Sequence, residues 1–62
     1  MGNVAAAEAA VNQAKANLEA AKANLKSAYS KDQKEHARYN VERAKKILAE
    51  KKEDLKRAKA RR

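Results

Sequence analysis

The sequence contains no cysteine, no proline, no phenylalanine and no tryptophan, and it has only one glycine. Without cysteine there are no disulfide bonds and no cysteine-ligated zinc, which often stabilise chains this short. Without proline, and almost without glycine, the usual helix breakers are missing. Only two tyrosines are aromatic, so an aromatic core is excluded as well. At 62 residues the chain makes one small, all-α domain, near the lower size limit for a useful core.

Long hydrophobic runs are also missing. The longest apolar runs are a few consecutive alanines, so no membrane-spanning segment is predicted. No signal peptide is predicted either, because the start lacks a basic region followed by a leucine-rich stretch. A cytoplasmic protein and an excised piece of a larger exported protein both fit, so the compartment stays open.

The formal net charge of +8 is distributed unevenly. Residues 1–29 carry three lysines against two glutamates, a net charge of +1. Residues 30–62 carry thirteen lysines or arginines against six acidic residues, a net charge of +7. The chain therefore has a nearly neutral first half and a strongly basic second half.

The apolar residues of both halves follow a seven-residue repeat. In the first half the large members are Val4, Val11, Leu18 and Leu25, and alanines at positions 7, 14, 21 and 28 lie between them. In the second half the large members are Val41, Leu48 and Leu55, and the small ones are Ala37, Ala44 and Ala58. One large row beside one alanine row is typical of a closely packed, alanine-based coiled coil. Lys51 alone interrupts the second repeat.

The two repeats are out of phase, which indicates a break between them. Six residues separate Ala28 from Lys34, where the second repeat would begin. On one continuous helix this spacing is a rotation of ~240°, so the apolar row would jump to another face. Ser30 followed by Gln33 also matches a capping box, the sequence signal of a helix start. We therefore predict an antiparallel two-helix coiled-coil hairpin over residues 1–62, with arms at about 3–28 and 33–61 and a turn at about 29–32. A single long helix that pairs with another chain is the alternative.

Folding the chain back about residue 31 pairs each large residue with an alanine. The predicted layers are Leu25 with Ala37, Ala21 with Val41, Leu18 with Ala44, Ala14 with Leu48, Ala7 with Leu55, and Val4 with Ala58. Such complementarity lets two helices approach closely and interdigitate. Lys51 falls opposite Val11, where its long stem can reach solvent from a thin hairpin.

The two flanks of this seam differ in charge. We define the basic flank as Lys15, Lys22, Arg38, Lys45, Lys52 and Lys59. The asparagine flank, on the other side, carries Asn3, Asn17, Asn24, Asn40 and Ile47. Like charges meet across the basic flank, with Glu8 opposite Lys52 as the one matched pair, so a negatively charged partner is predicted there. The alternative is that these cations only keep an alanine-rich rod in solution.

An acidic protein and nucleic acid are the two partners that this charge favours. Nucleic-acid binding would gain from interleaved aromatic residues, and the sequence lacks them. A membrane surface is disfavoured, because alanine is a poor anchor. Self-association is a further option, because Ala9, Ala16 and Ala23 form a row on the first arm away from the seam.

No residue pattern indicates catalysis, a metal or a cofactor. His36 is the only histidine, and with Asp32 and Glu35 it makes at most a weak metal signal, so an exposed histidine is predicted. Ser27 and Ser30 have no histidine and carboxylate partners that a helix could aim at them. We also expect no substrate pocket between two alanine-packed helices. The chain is therefore predicted not to be an enzyme.

The segments "AVNQAKANLEAAKANL" and "SKDQKEHARYNVERAKKILAEKKEDLKRAK" resemble the coiled-coil hairpin of periplasmic adaptor (membrane fusion) proteins of bacterial efflux and secretion pumps. Ser30, Lys31, Ala37 and Ala44 match the spacing at the tip of that family's hairpin. The resemblance covers most of the chain and implies contacts between the tip and an outer-membrane channel. The receptor-binding hairpins of colicins look similar as well.

The sequence as a whole predicts a structural or protein-interaction hairpin, which is either a whole protein or a part of a larger one. The predicted contact residues are Tyr29, Ser30 and Lys31 at the tip, together with the basic flank. The alternative is a small basic protein that binds nucleic-acid phosphates along its second helix.

Overall fold

Two helices joined by a short turn make up the chain. The computed structural model describes residues 3–60, apart from the side chain of Asn3. Helix α1 runs over Asn3–Lys26 and helix α2 over Lys31–Ala60, and the two pack against each other along their lengths. The predicted all-α helical hairpin is confirmed.

The turn lies two residues earlier than the sequence predicted. Residues 27–30 connect the helices, whereas the prediction placed the turn at 29–32 and ended the first arm at residue 28. Helix α2 begins at Lys31 because Ser30 caps it from the position just before the first helical residue. Residue 61, the predicted end of the second arm, lies outside the described residues.

Burial follows the predicted seven-residue repeats. The six buried apolar residues are Val11, Ala14, Leu18, Ala21, Ala37 and Val41. Half-buried residues extend the two rows, and they are Val4, Ala7, Leu25, Ala28, Ala44, Leu48, Lys51, Leu55 and Ala58. Ala10 is the one other residue between 4 and 60 that is not exposed, and it lies beside the seam. Lys34 is exposed, so the second row begins at Ala37.

The centre of the core joins residues from two predicted layers. Leu18, Ala21 and Val41 form the buried cluster. Leu25, Ala44 and Leu48 are half-buried and pack against it. Large side chains and alanines of both helices thus pack together at the centre of the seam.

The hairpin is a thin rod that buries little surface. Its principal extents are 49 × 13 × 10 Å, and its accessible surface is 5134 Å². A compact protein of this mass, 6.9 kDa, would expose about 4,000 Å². The fold therefore depends on one narrow seam and on the high helix propensity of alanine, lysine, glutamate and leucine. Neither α1 nor α2 is both long and apolar enough to cross a lipid bilayer.

The pairing of Ala21 with Val41 can be tested by exchanging the two residues. Ala21→Val should lower the free energy of unfolding by about 1–3 kcal/mol, because two branched side chains then meet in one layer. Val41→Ala should also destabilise, because it leaves a void. The double variant A21V/V41A restores the layer volume, so its loss should be clearly smaller than the sum of the two single losses. Urea unfolding followed by circular dichroism measures all four proteins, and strictly additive losses would contradict the pairing.

Candidate functional site: the hairpin tip and its flanks

The turn is held by hydrogen bonds between the side chains and the backbone of Ser30 and Gln33. The Gln33 amide donates to the Ser30 Oγ at 3.1 Å, and the Ser30 amide donates to the Gln33 Oε1 at 3.3 Å. The Gln33 Oε1 also accepts from the Tyr29 amide at 3.0 Å. This reciprocal arrangement is the predicted capping box, extended by one residue.

Helix α1 ends without a glycine. The amide and the hydroxyl of Ser27 both donate to the Ala23 carbonyl oxygen, at 3.1 and 2.9 Å. The Ala28 amide donates to the Leu25 carbonyl oxygen at 3.2 Å, which tightens the last turn. Within residues 3–60 no residue has a positive φ, so the connection does not need the left-handed conformation that favours glycine.

The three predicted tip residues lie together at the exposed end of the rod. Tyr29 is 91% exposed, and Ser30 and Lys31 are exposed beside it. The backbone of Tyr29 and Ser30 is nevertheless fixed, because Gln33 accepts from both amides. The tip thus presents a free aromatic side chain on an ordered backbone.

An open groove of about 690 Å³, which was not predicted from the sequence, lies beside the tip. Residues of both helices line this depression, which lies on the side of the asparagine flank, where the sequence led us to expect no pocket. Its lining includes Tyr29 from the turn, Asn24 from α1, and Asp32, His36 and Asn40 from α2. The last three follow each other at four-residue spacing, which places them on one face of α2. This four-residue spacing is the sequence feature from which that wall of the groove could have been predicted.

The groove does not hold a metal-ligand cluster. Among residues 3–60 no group of three or more histidine, cysteine, aspartate or glutamate side chains could hold a metal ion. Asp32 and His36 line the same groove, and His36 is exposed as predicted. The groove can offer amide, imidazole and phenol groups for hydrogen bonding and alanine methyl groups for apolar contact.

The basic flank lies along one side of the rod, and all six of its residues are exposed. Two of them pair with glutamates of their own helix, Lys22 with Glu19 at 3.8 Å and Lys45 with Glu42 at 3.6 Å. The predicted pair of Glu8 with Lys52 is not among the ion pairs within residues 3–60. The Lys22 and Lys45 side chains are still 51% and 54% exposed, so these pairs contribute little stability and leave both ammonium groups open to a partner.

The asparagine flank carries a second, narrower groove near the middle of the rod. Its volume is about 290 Å³, and Asn24 and Asn40 line both this groove and the one at the tip. Asn17 and Ala20 of α1, with Arg43 and Ile47 of α2, complete most of its walls. The sequence placed Asn17, Asn24, Asn40 and Ile47 on one flank, and the structure brings these four together.

The predicted alanine row, Ala9, Ala16 and Ala23, is exposed on α1. No described feature of the chain marks this row as a contact surface, so self-association through it stays a prediction.

No protein-family model, no curated protein and no solved structure matches this chain. The resemblance to adaptor hairpins, and to those of colicins, therefore stays a prediction from the quoted segments.

The capping box should contribute measurably to the stability of the tip. Ser30→Ala and Gln33→Ala should each lower the free energy of unfolding by about 1 kcal/mol, because each removes side-chain acceptors of backbone amides at the start of α2. Asn12→Ala is the control, since Asn12 is exposed on α1 and lies outside the seam and both flanks. Its effect should stay within about 0.5 kcal/mol. Equal losses for Asn12→Ala and Gln33→Ala in urea unfolding would contradict the assigned role.

Proposed function

We propose that the chain is a non-enzymatic helical hairpin that binds a protein partner through its tip and its basic flank. The observation that carries this proposal is Tyr29, which is 91% exposed on a turn whose backbone is held by hydrogen bonds. The partner surface expected to meet the flank is acidic.

An exposed tyrosine on an ordered backbone is well suited to binding. Tyr29 packs on neither helix, so its side chain adds little to the stability of the hairpin. Tyrosine has few rotatable bonds and combines a large apolar ring with a hydroxyl, which is why it is frequent among the residues that dominate interface energies. Because the capping box already orders the turn, binding would cost no further conformational entropy for fixing that backbone.

The basic flank supports the choice of an acidic partner. Its six cations lie along one side of a rod 49 Å long, and like charges are predicted to meet across the seam. An acidic surface would relieve this repulsion, accelerate encounter and fix the orientation of the complex. The flank would then set the direction of approach, while the tip would supply the contact that is buried most deeply.

Tip contacts with a channel protein, which the resemblance to adaptor hairpins implies, would be one case of this function. Ser30 and Lys31, the residues that carry the resemblance at the tip, lie next to Tyr29. The proposal does not depend on that case, because it rests on the exposure of Tyr29 and the charge of the flank.

A photo-crosslinking amino acid placed at position 29 tests the proposal directly. Tyr39 provides the matched control, because it is the other tyrosine, is 63% exposed and lies on α2 away from the turn. In cell extract, the probe at position 29 should give a discrete protein adduct that the probe at position 39 does not give. Once the partner is identified and purified, Tyr29→Ala should weaken binding at least about tenfold and Tyr39→Ala less than about twofold. Equal effects of the two substitutions would overturn the role of the tip.

Nucleic-acid binding is the second candidate function, and the exposed row of cations on the basic flank favours it. Labelled random-sequence duplex and single-stranded nucleic acid, titrated at low and physiological salt and followed by anisotropy, separate the two functions. A protein-binding hairpin should show no more than weak binding at physiological salt. Tight binding that falls steeply with the logarithm of the salt concentration would favour the phosphate-binding function.

The basic flank can be tested in the same titrations. Lys45→Gln and Lys52→Gln should each weaken binding of an acidic partner or of nucleic acid, because both residues belong to the flank. Lys46→Gln is the control, since Lys46 is exposed on α2 next to Lys45 but outside the flank. If Lys46→Gln weakened binding as much as either flank substitution, the attraction would come from net charge and not from this flank.

A further inference from the structure

Apart from Tyr29, which lines the groove at the tip, the side of the rod opposite the basic flank has no role in the proposed function. Its two grooves, of about 690 and 290 Å³, share Asn24 and Asn40 and so lie next to each other between the tip and the middle of the rod. We call the part of this side beyond the tip, with its neighbours in the seven-residue repeat, the neutral face. It comprises Ala10, Gln13, Asn17, Ala20 and Asn24 of α1, and Asn40, Arg43, Ile47, Glu50, Asp54 and Arg57 of α2.

The charge of the neutral face is balanced, although the chain carries +8. Its α1 half has no charged residue. Its α2 half has two arginines against Glu50 and Asp54, and Asp54 pairs with Arg57 at 3.7 Å. Near its middle lies Ile47, which is 40% exposed and is the one large aliphatic side chain among the exposed residues of the described chain.

We propose that the neutral face is the interface of a homodimer, in which a second copy of this chain packs its own neutral face against the first. Four helices then surround a shared interior formed by the asparagine-lined grooves and the two Ile47 side chains. This inference goes beyond the proposed function and does not rest on it.

Charge favours a second copy on this face over the basic flank. Two chains of +8 repel each other, and the repulsion is smallest where the facing surfaces carry no net charge. Packing the neutral faces together also directs both basic flanks outward, on opposite sides of the dimer. An acidic or strongly charged partner would gain nothing on the neutral face and would be attracted to the basic flank instead.

The area of the face fits a small but specific dimer. The whole side of the rod measures at most 49 × 13 Å, so two copies that pack along their full length would cover on the order of 1,300 Å². Specific interfaces bury about 1,200–2,000 Å² in total. Because the single hairpin exposes more surface than a compact protein of its mass, such an interface would also supply burial that the monomer lacks.

The polar groups of the face suit an interface between identical copies. Asn17, Asn24 and Asn40 each carry an amide that donates and accepts, so they can pair with amides of the second copy as well as with water. Gln13 already donates to Asn17 at 3.3 Å within one chain, which shows that amides on this face lie within hydrogen-bond reach of each other. Such amides would fix the register of the two hairpins, while Ile47 and the alanines supply apolar contact.

Sedimentation equilibrium of the purified chain, with charge substitutions on different faces, tests the dimer. The wild-type chain should reach twice the 6.9 kDa chain mass at high micromolar concentration. Ile47→Glu and Ala20→Glu, one from each helix of the neutral face, should each weaken dimerisation at least about tenfold. Ala16→Glu and Ala49→Glu are the controls, because both replace exposed alanines outside this face and should change dimerisation less than about threefold. All four lower the net charge equally, and circular dichroism checks that each variant keeps its helix content.

Salt gives an independent measurement. Raising the salt concentration screens the repulsion between the two +8 chains, so dimerisation should strengthen between 50 and 500 mM salt, by about threefold or more. A monomeric wild-type chain at all concentrations and both salts would overturn the proposal. A dimer that Ala16→Glu breaks and Ile47→Glu leaves intact would also overturn it, because the contact would then lie on the row of Ala9, Ala16 and Ala23. Binding through the basic flank would not be affected by either result.

Discussion

The packing of large aliphatic side chains and alanines of both helices along one seam is the interaction on which the rest of this structure depends. In the central layers Leu18 and Val41 are buried, while the alanines beside them add little area but allow the two helices to approach closely. A seam this narrow leaves most side chains of the rod exposed. The surfaces that the molecule offers to partners are therefore its exposed faces, and the packing along the seam determines which residues lie on each face.

The seam could be predicted because its period is regular and its two halves are complementary. Almost every residue that the repeat selects is buried or half-buried, including Lys51, whose position in the row requires a long stem that can reach water. Ala10 escaped the prediction because it belongs to the flank, where an alanine is too short to extend away from the seam. Periodicity reports such positions poorly, because their burial depends on the size of the side chain as well as on the direction in which it points.

The ends of the helices were less predictable than their faces. The start of α2 had a signal in Ser30 and Gln33, yet the predicted turn was placed two residues late because it treated the cap as part of the turn's centre. The end of α1 had no comparable signal. Ser27 closes that end by bonding back to the Ala23 carbonyl oxygen, a contact that the sequence allows at many serines but does not demand at any one of them.

The tip residues could be predicted from the position of the turn, whereas the grooves could not. A groove depends on how far Asn24 of one helix stands from Asn40 of the other, and that distance is a property of the packed pair. The ion pairs of Lys22 with Glu19 and Lys45 with Glu42 had a clear sequence signal in their three-residue spacing, which brings the two side chains together on one helix. Local spacing was the better guide for these exposed charges.

The division of charge between the two sides of the rod has a thermodynamic consequence for any binding. A partner on the basic flank and a partner on the neutral face would occupy opposite sides of the same two helices, so away from the tip neither would exclude the other sterically. Each would bind the folded hairpin and not the unfolded chain, and would therefore raise its stability by mass action. Because the seam buries little area, the main effect of such binding would be to raise the fraction of the chain that is folded. Because the core is so thin, binding at either face stabilises the same folded seam. Association at one face and association at the other are thus both coupled to folding, even where the two faces share no residue.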